Sequence, residues 1–264
     1  MAEDVEFNLV EMFWSAQGEG PHVGRATVFL RFGGCDLRCA WCDSPGTWLP
    51  AKAFRSEVAP GSGNFRPLPN PVSASQVGEA LTALGPLPGT FLSLTGGEPL
   101  LQPEAVVVAA RLGRERGLRV ALETHGLAHD AMAHVAGSVD YVSMDWKLES
   151  DVRPSKEAAG DERYAGGFGR LHEKFLGLLA AQGLEASVKV VITENTLDSE
   201  LDRVCAGLTA IAPLTPLILQ PVTPMGKVKG QPSAEALLSQ LRFCQERVGD
   251  VRLIPQTHRV YGAL

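Results

Sequence analysis

The sequence has no apolar run approaching the roughly 18 residues that a membrane-spanning helix needs. It also lacks surplus positive charge. A formal charge of −6 and a pI near 5.6 leave no basic stripe to follow a phosphate backbone, which argues against nucleic acid as a partner and for a small molecule. The start, Met1-Ala2-Glu3-Asp4, is acidic where a signal peptide would be basic, so the expected location is cytoplasmic, with no membrane partner. There is no internal repeat and no low-complexity tail. Five cysteines in a compartment that keeps thiols reduced do not read as a disulfide framework. Three of them fall within eight residues; Cys205 and Cys244 stand alone in helix-like stretches and are expected to be small buried hydrophobes.

What is present suits one α/β domain over residues 1–264, since 264 residues at 45% hydrophobic content can bury a sizeable core. Short runs rich in Val, Leu, Ile and Phe alternate with helix-period stretches, the pattern of βα units building a parallel sheet. Strands are expected at 26–32, 90–94, 118–123, 140–144, 187–192, 217–220 and 251–254. Helices are expected at 75–84, 103–116, 130–135, 169–182, 197–211 and 234–248. About six such units are too few for a closed eight-stranded barrel, so the expected architecture is an incomplete, splayed parallel (β/α) barrel. Residues 49–71, rich in Pro, Gly, Ser and Asn, read as an inserted surface loop, and 149–167 as a mobile one. Ligands of parallel sheets sit beyond the C-terminal strand ends, so motifs just after strands have the first claim on function.

Cys35, Cys39 and Cys42 follow the strand ending at Phe32, with Gly33 and Gly34 allowing a sharp turn. Soft thiolates select zinc, copper(I) or iron–sulfur clusters. Zinc structural sites usually want four ligands in two pairs, and no second pair follows. A cubane cluster held by three cysteines leaves one iron open for a cofactor. With Trp41 before the last cysteine, the spacing resembles the signature of the radical S-adenosylmethionine superfamily.

That resemblance implies a [4Fe-4S] cluster on the three cysteines, S-adenosylmethionine chelated at the open iron, and cleavage of its C–S bond to a 5′-deoxyadenosyl radical. Thr95-Gly96-Gly97-Glu98-Pro99 resembles the family motif whose backbone and carboxylate hold the methionine amino group, Glu98 supplying the anion. Glu123, Thr124, Ser143, Asp145, Lys147 and Gln220 stand at strand ends where relatives contact the cofactor, Gln220 towards the adenine. The stretch from Ser143 to Lys147 is longer than the Ser-Pro-Lys of many relatives.

Residues 13–21, including Ala16, Gln17, Gly18 and Glu19 at the first strand's exit, resemble the Gln-Gly-Glu-Gly stretch of the 7-carboxy-7-deazaguanine synthases. Such a turn offers backbone groups and a carboxylate to the hydrogen-bonding edge of a pterin. By the same likeness Arg31 pairs with the substrate carboxylate, Thr95 and His258 contact the substrate, and Ser44, after Asp43, is a ligand of magnesium. Ala16 replaces a larger aliphatic residue of relatives at a mainly backbone contact.

The implied reaction is radical ring contraction of 6-carboxy-5,6,7,8-tetrahydropterin to 7-carboxy-7-deazaguanine with loss of ammonia, in queuosine and deazapurine biosynthesis. Hydrogen is taken from C6 and later returned, which regenerates S-adenosylmethionine. The likeness also implies an electron donor such as flavodoxin or ferredoxin, and a homodimer. The chain runs on to Leu264, whose carboxylate position can reach substrate in relatives. For the stretch at 49–71, capping the site and docking a reductase both stay open. Two other readings are a glycyl-radical-enzyme activase, which would need a protein substrate, and a zinc-binding structural protein.

Overall fold

The sequence's short apolar runs become one ten-stranded sheet in the computed structural model, which describes residues 5–260, 262 and 263. In chain order its strands are β1 (Leu9–Ala16), β2 (Ala26–Phe32), β3 (Ala53–Glu57), β4 (Phe65–Pro69), β5 (Phe91–Gly96), β6 (Arg119–Thr124), β7 (Tyr141–Asp145), β8 (Glu185–Ile192), β9 (Leu217–Pro221) and β10 (Val251–Leu253). Their spatial order is β10-β9-β8-β7-β6-β5-β2-β1-β3-β4. The seven strands from β10 to β2 are mutually parallel. Both the acidic start at 1–4 and the carboxylate of Leu264 lie outside the described residues.

Helices α1 (Ala74–Leu84), α2 (Pro103–Arg114), α3 (His129–Val135), α4 (Gly169–Gln182), α5 (Asp198–Ile211) and α6 (Ala234–Gln245) each lead into the next parallel strand. Six crossovers and seven parallel strands leave the barrel open, as expected from the count of units. Local chemistry sets the helix starts. Ser73 and Gln76 cap α1 reciprocally, and Pro103 occupies the first position of α2, where its missing N–H has no partner to lose.

The main core lies between sheet and helices, where Leu30, Phe32, Leu81, Val120, Phe175 and Leu201 are buried, each contributing about 2 kcal/mol. Cys205 and Cys244 sit in this core. No helix of the described residues is long and apolar enough to cross a membrane.

Two expectations need correction. Residues 49–71 are not a loop: they contain the antiparallel hairpin β3–β4, which extends the sheet past β1. Its Pro67 and Pro69 lie on the edge strand β4, where a missing N–H breaks no ladder, so a composition that reads as a loop is that of a protected sheet edge. The buried Glu57 ties the hairpin down by accepting from the backbone N–H groups of Trp14 and Gly63, both at 2.9 Å.

Nor is 149–167 free of structure. Val152–Pro154 pairs antiparallel with Leu37–Cys39, in the middle of the cysteine loop. Short local strands of this kind carry no long apolar run for the sequence to display.

Candidate active site

The C-terminal ends of the parallel strands open into a cavity of about 190 Å³. The exit of β1 supplies Ala16, Gln17, Gly18 and Glu19; β2 supplies Arg31. The cysteine loop supplies Cys35, Cys39, Cys42 and Ser44. Thr95, Gly96 and Gly97 come from β5, Glu123 and Thr124 from β6, Asp145 and Lys147 from β7 and just beyond it, Gln220 from β9, and His258 from the C-terminal segment. Residues from Ala16 to His258 thus share one wall: the parallel strands bring theirs to the C-terminal ends, and the exit of the antiparallel β1, beside the start of β2, closes the other end.

The cysteine loop is held by backbone and side chains together. Gly34 takes φ +94°, a conformation that favours glycine, and its N–H donates to Thr47 O at 2.8 Å. Ala40 N donates to Asp151 O at 2.9 Å and Ser155 N to Asp36 O at 2.7 Å, so the polar stretch after β7 clamps the loop from outside. Asp36 accepts from Tyr164 Oη at 2.6 Å and lies 2.9 Å from His125 Nε2. Burial opposes its ionisation, but those two partners hold its carboxyl well below the usual range.

The three cysteines are free and half-buried, and Trp48 Nε1 donates to Cys42 Sγ at 3.2 Å. Burial pushes the Cys35 thiol up to about 12 and the Cys39 thiol up to about 11. Bare, both are neutral thiols; as ligands to a metal they bind as thiolates. Among the described residues no three His, Cys, Asp or Glu side chains converge on a single metal ion. A zinc ion needs its sulfurs about 2.3 Å from one centre, whereas a cubane binds each thiolate on a different iron. Three thiols on one loop would give a cubane three of its four ligands and leave the fourth iron open.

The turn after β5 abuts this loop. Gly97 N donates to Phe32 O at 3.0 Å and Glu98 N to Gly34 O at 2.8 Å. Glu98 corrects an expectation, because it is fully buried and absent from the cavity wall. Its carboxylate is used up internally, by Leu100 N at 2.9 Å and by Thr124 Oγ1 and His125 N, both at 2.8 Å. Glu98 is the N-cap of the short helix Pro99–Leu101, and its side chain is turned onto the backbone of that helix. Ser143 also misses the cavity and lines a smaller neighbouring one of about 10 Å³, with Gln17, Glu19, His22 and Glu123. In the sheet its side chain points below the ligand layer, one residue pair short of Asp145.

Two features of the wall offer a ligand something it lacks. Gln220 Oε1 is buried without a hydrogen-bond partner among the described residues, an acceptor that a ligand's N–H would satisfy. Gly97 is bare where a Cβ would stand 2.0 Å from Gly34 O, so only glycine lets this turn and the loop meet.

At the other end of the cavity, Gln17 Nε2 donates to Glu123 Oε1 at 3.0 Å, and Glu123 also accepts from Ser93 Oγ at 2.6 Å and Thr95 Oγ1 at 3.0 Å. The C-terminal segment closes over this turn. Thr257 N donates to Gly18 O at 2.9 Å, and a Cβ at Gly18 would strike His258 Nδ1 at 2.0 Å. Gln256 Nε2 bridges Glu19 Oε1 at 2.7 Å and Asp43 Oδ2 at 3.1 Å, joining the turn to the cysteine loop. Desolvation lowers the pKa of His258, favouring a neutral imidazole.

Sequence reasoning missed Lys189 of β8. It is buried, pairs with Glu19, and lies 3.0 Å from Asp145 Oδ1, while Lys147 Nζ donates to Asp145 Oδ2 at 2.6 Å. Burial works against both ammonium groups, yet the facing carboxylates raise their pKa values, and the two lysines in turn lower that of Asp145. The available signal was a lysine on the inward phase of an otherwise apolar strand, flanked by Val188 and Val190.

Residues 30–151 match the family model described as the Radical SAM superfamily. The chain is 38% identical over 260 residues to a 7-carboxy-7-deazaguanine synthase of Geobacter sulfurreducens, covering 97% of each protein. It is 36% identical over 225 residues to the protein of that name from Thermococcus kodakarensis, covering 82% of this chain and 84% of the other. Among solved structures, QueE from Escherichia coli superposes with a TM-score of 0.60 at 19% identity, over 96% and 95% of the two chains, a likeness of fold.

Proposed function

This chain belongs to the 7-carboxy-7-deazaguanine synthases, radical S-adenosylmethionine lyases that contract 6-carboxy-5,6,7,8-tetrahydropterin to 7-carboxy-7-deazaguanine with loss of ammonia, and from that premise we propose how its residues divide the work. The relatives matched over most of their length share that name, which sets aside both the glycyl-radical activase and the zinc-binding structural protein.

In this reading Cys35, Cys39 and Cys42 hold the [4Fe-4S] cluster, and the glycine-lined turn at Thr95–Gly97 receives the methionine end of S-adenosylmethionine. When bound, the two supply the one-electron chemistry that starts hydrogen abstraction. Gln220 Oε1 accepts from the adenine amino group. Asp145, Lys147 and Glu123 take the ribose and carboxylate side of the cofactor, Lys147 as the cation.

The pterin lies across Ala16–Glu19. The carboxylate of Glu19, fixed by Lys189 and Gln256, accepts from its N–H edge, and neutral His258 meets it from above. Arg31 pairs with the substrate carboxylate, and Ser44 beside Asp43 supplies a hydroxyl to magnesium, which would neutralise the same carboxylate. Walls this close matter because a carbon radical takes hydrogen from whatever is nearest, so alignment and exclusion of water are the protein's main contribution.

The observation that supports the reading is that a single cavity joins the cysteine loop to Arg31 and the Gln17–Glu19 turn. Paired variants test it. Arg31→Met is expected to lower kcat/KM for the carboxypterin by about 100-fold, the loss of a bidentate ion pair. Ser44→Ala is expected to blunt the response of the rate to magnesium. Both are expected to keep wild-type cluster absorbance. Arg31→Met with unchanged kcat/KM, or Ser44→Ala with an unchanged magnesium response, would remove that residue from the site.

A further inference from the structure

Arg31 is held from behind by an arrangement that involves the inserted hairpin. β1 carries a bulge at Val10: Leu9 pairs with Phe32, and Glu11, two residues on, pairs with Arg31. Side chains alternate along a strand, so one extra residue reverses the face that every following residue takes. Leu9 therefore joins Met12 in the core beneath the helices, while Glu11 falls on the face of Arg31 and Phe13.

Glu11 Oε1 then accepts from Arg31 Nε at 3.0 Å, and Glu11 Oε2 pairs with Arg55 Nη2 on β3, the residue directly opposite in the parallel ladder. Arg55 itself lies over the ring of Phe65 on β4, 4.9 Å from its centre. Glu11 is mostly buried, so its hold on Arg31 is little diluted by water. Among the described residues the two terminal nitrogens of Arg31 make no hydrogen bond, which leaves the bidentate edge of its guanidinium free to face the cavity.

The charges also count. Arg31 with Glu11 alone is neutral; Arg55 restores one net positive charge to the group.

We propose that Glu11, placed by the bulge at Val10 and backed by Arg55 of the hairpin, is a positioning residue that presents Arg31 to the substrate's carboxylate. The hairpin then takes part in carboxylate recognition through Arg55. This inference rests on the reading in which Arg31 meets that carboxylate.

The test uses reconstituted holoenzyme: wild type, Glu11→Gln and Arg55→Met. KM and kcat are measured with 6-carboxytetrahydropterin, and dissociation constants with two unreactive fluorescent probes, 6-carboxypterin and pterin. For Glu11→Gln the expected result is KM and the 6-carboxypterin constant raised about tenfold, with kcat within about twofold, the size of one charge-assisted hydrogen bond. Arg55→Met moves the same quantities about threefold, and the pterin constant stays at the wild-type value in both variants.

Equal weakening of both probes would mean a merely structural role and would overturn the proposal, as would KM values for Glu11→Gln that stayed unchanged or fell, the result expected if only the net charge of the group counted. Arg55 is half exposed, so its variant keeps the test open if Glu11→Gln folds poorly. Failure of the underlying reading looks different, because the wild type itself would then show no preference for 6-carboxypterin over pterin.

Discussion

Replacing any one of Cys35, Cys39 and Cys42 with serine is expected to abolish the brown charge-transfer absorbance of anaerobically reconstituted protein and to bring turnover below detection. A serine oxygen keeps the volume of the side chain but is a hard ligand, whereas iron–sulfur clusters want thiolate. All three cysteines come from one eight-residue loop whose backbone is fixed at Thr47, Asp151 and Asp36, so the fold offers no spare thiol nearby. Cys205→Ala is the control. That residue lies in the core under the helices, and its loss leaves the colour intact while lowering stability by about 1 kcal/mol. Serine variants that retained iron and colour would contradict the three-thiolate reading.

Gly97→Ala is expected to be nearly as damaging, through packing and without touching a ligand atom. Its Cβ would lie 2.0 Å from Gly34 O and 2.8 Å from Thr47 O, and both are backbone atoms with no rotamer to yield. To accommodate the methyl group, the turn after β5 must move off the cysteine loop, breaking the bond from Glu98 N to Gly34 O. The expected cost is about 3 kcal/mol, or roughly 6–12 °C in Tm, with S-adenosylmethionine bound at least about tenfold more weakly. Gly137→Ala, with nothing within 4 Å of its added Cβ, is expected to melt close to the wild type. If Gly97→Ala melted there too, the close approach of turn and loop would not be a feature of the folded protein.

The parts of the fold legible in the sequence are those where period and composition agree. The parallel strands carry Val and Leu on both faces, and α4 at Gly169–Gln182 has its expected bounds because its amphipathic pattern is uninterrupted. The hairpin at 53–69 was not legible, since edge strands tolerate Pro67 and Pro69 and need only one buried face.

In the site, the residues of contiguous motifs fall together at the cavity, because Cys35 to Ser44 and Gln17 to Glu19 are each one short stretch of chain. Residues whose role depends on a partner from another strand were not legible in the sequence. Lys189 is informative only beside Glu19 and Asp145, and Glu98 has the right chemistry for an ammonium but spends it on Leu100, Thr124 and His125. Depth along the strand decided Ser143, which shares a face with Asp145 but sits two residues earlier and lines the smaller cavity.

The account is tested most directly by incubating the reconstituted protein, free of oxygen, with reduced flavodoxin or dithionite, S-adenosylmethionine, magnesium and 6-carboxy-5,6,7,8-tetrahydropterin, and following the product by mass. The expected result is 7-carboxy-7-deazaguanine with one ammonia released per turnover. Protein with a full cluster and bound S-adenosylmethionine that left the pterin unchanged would contradict it.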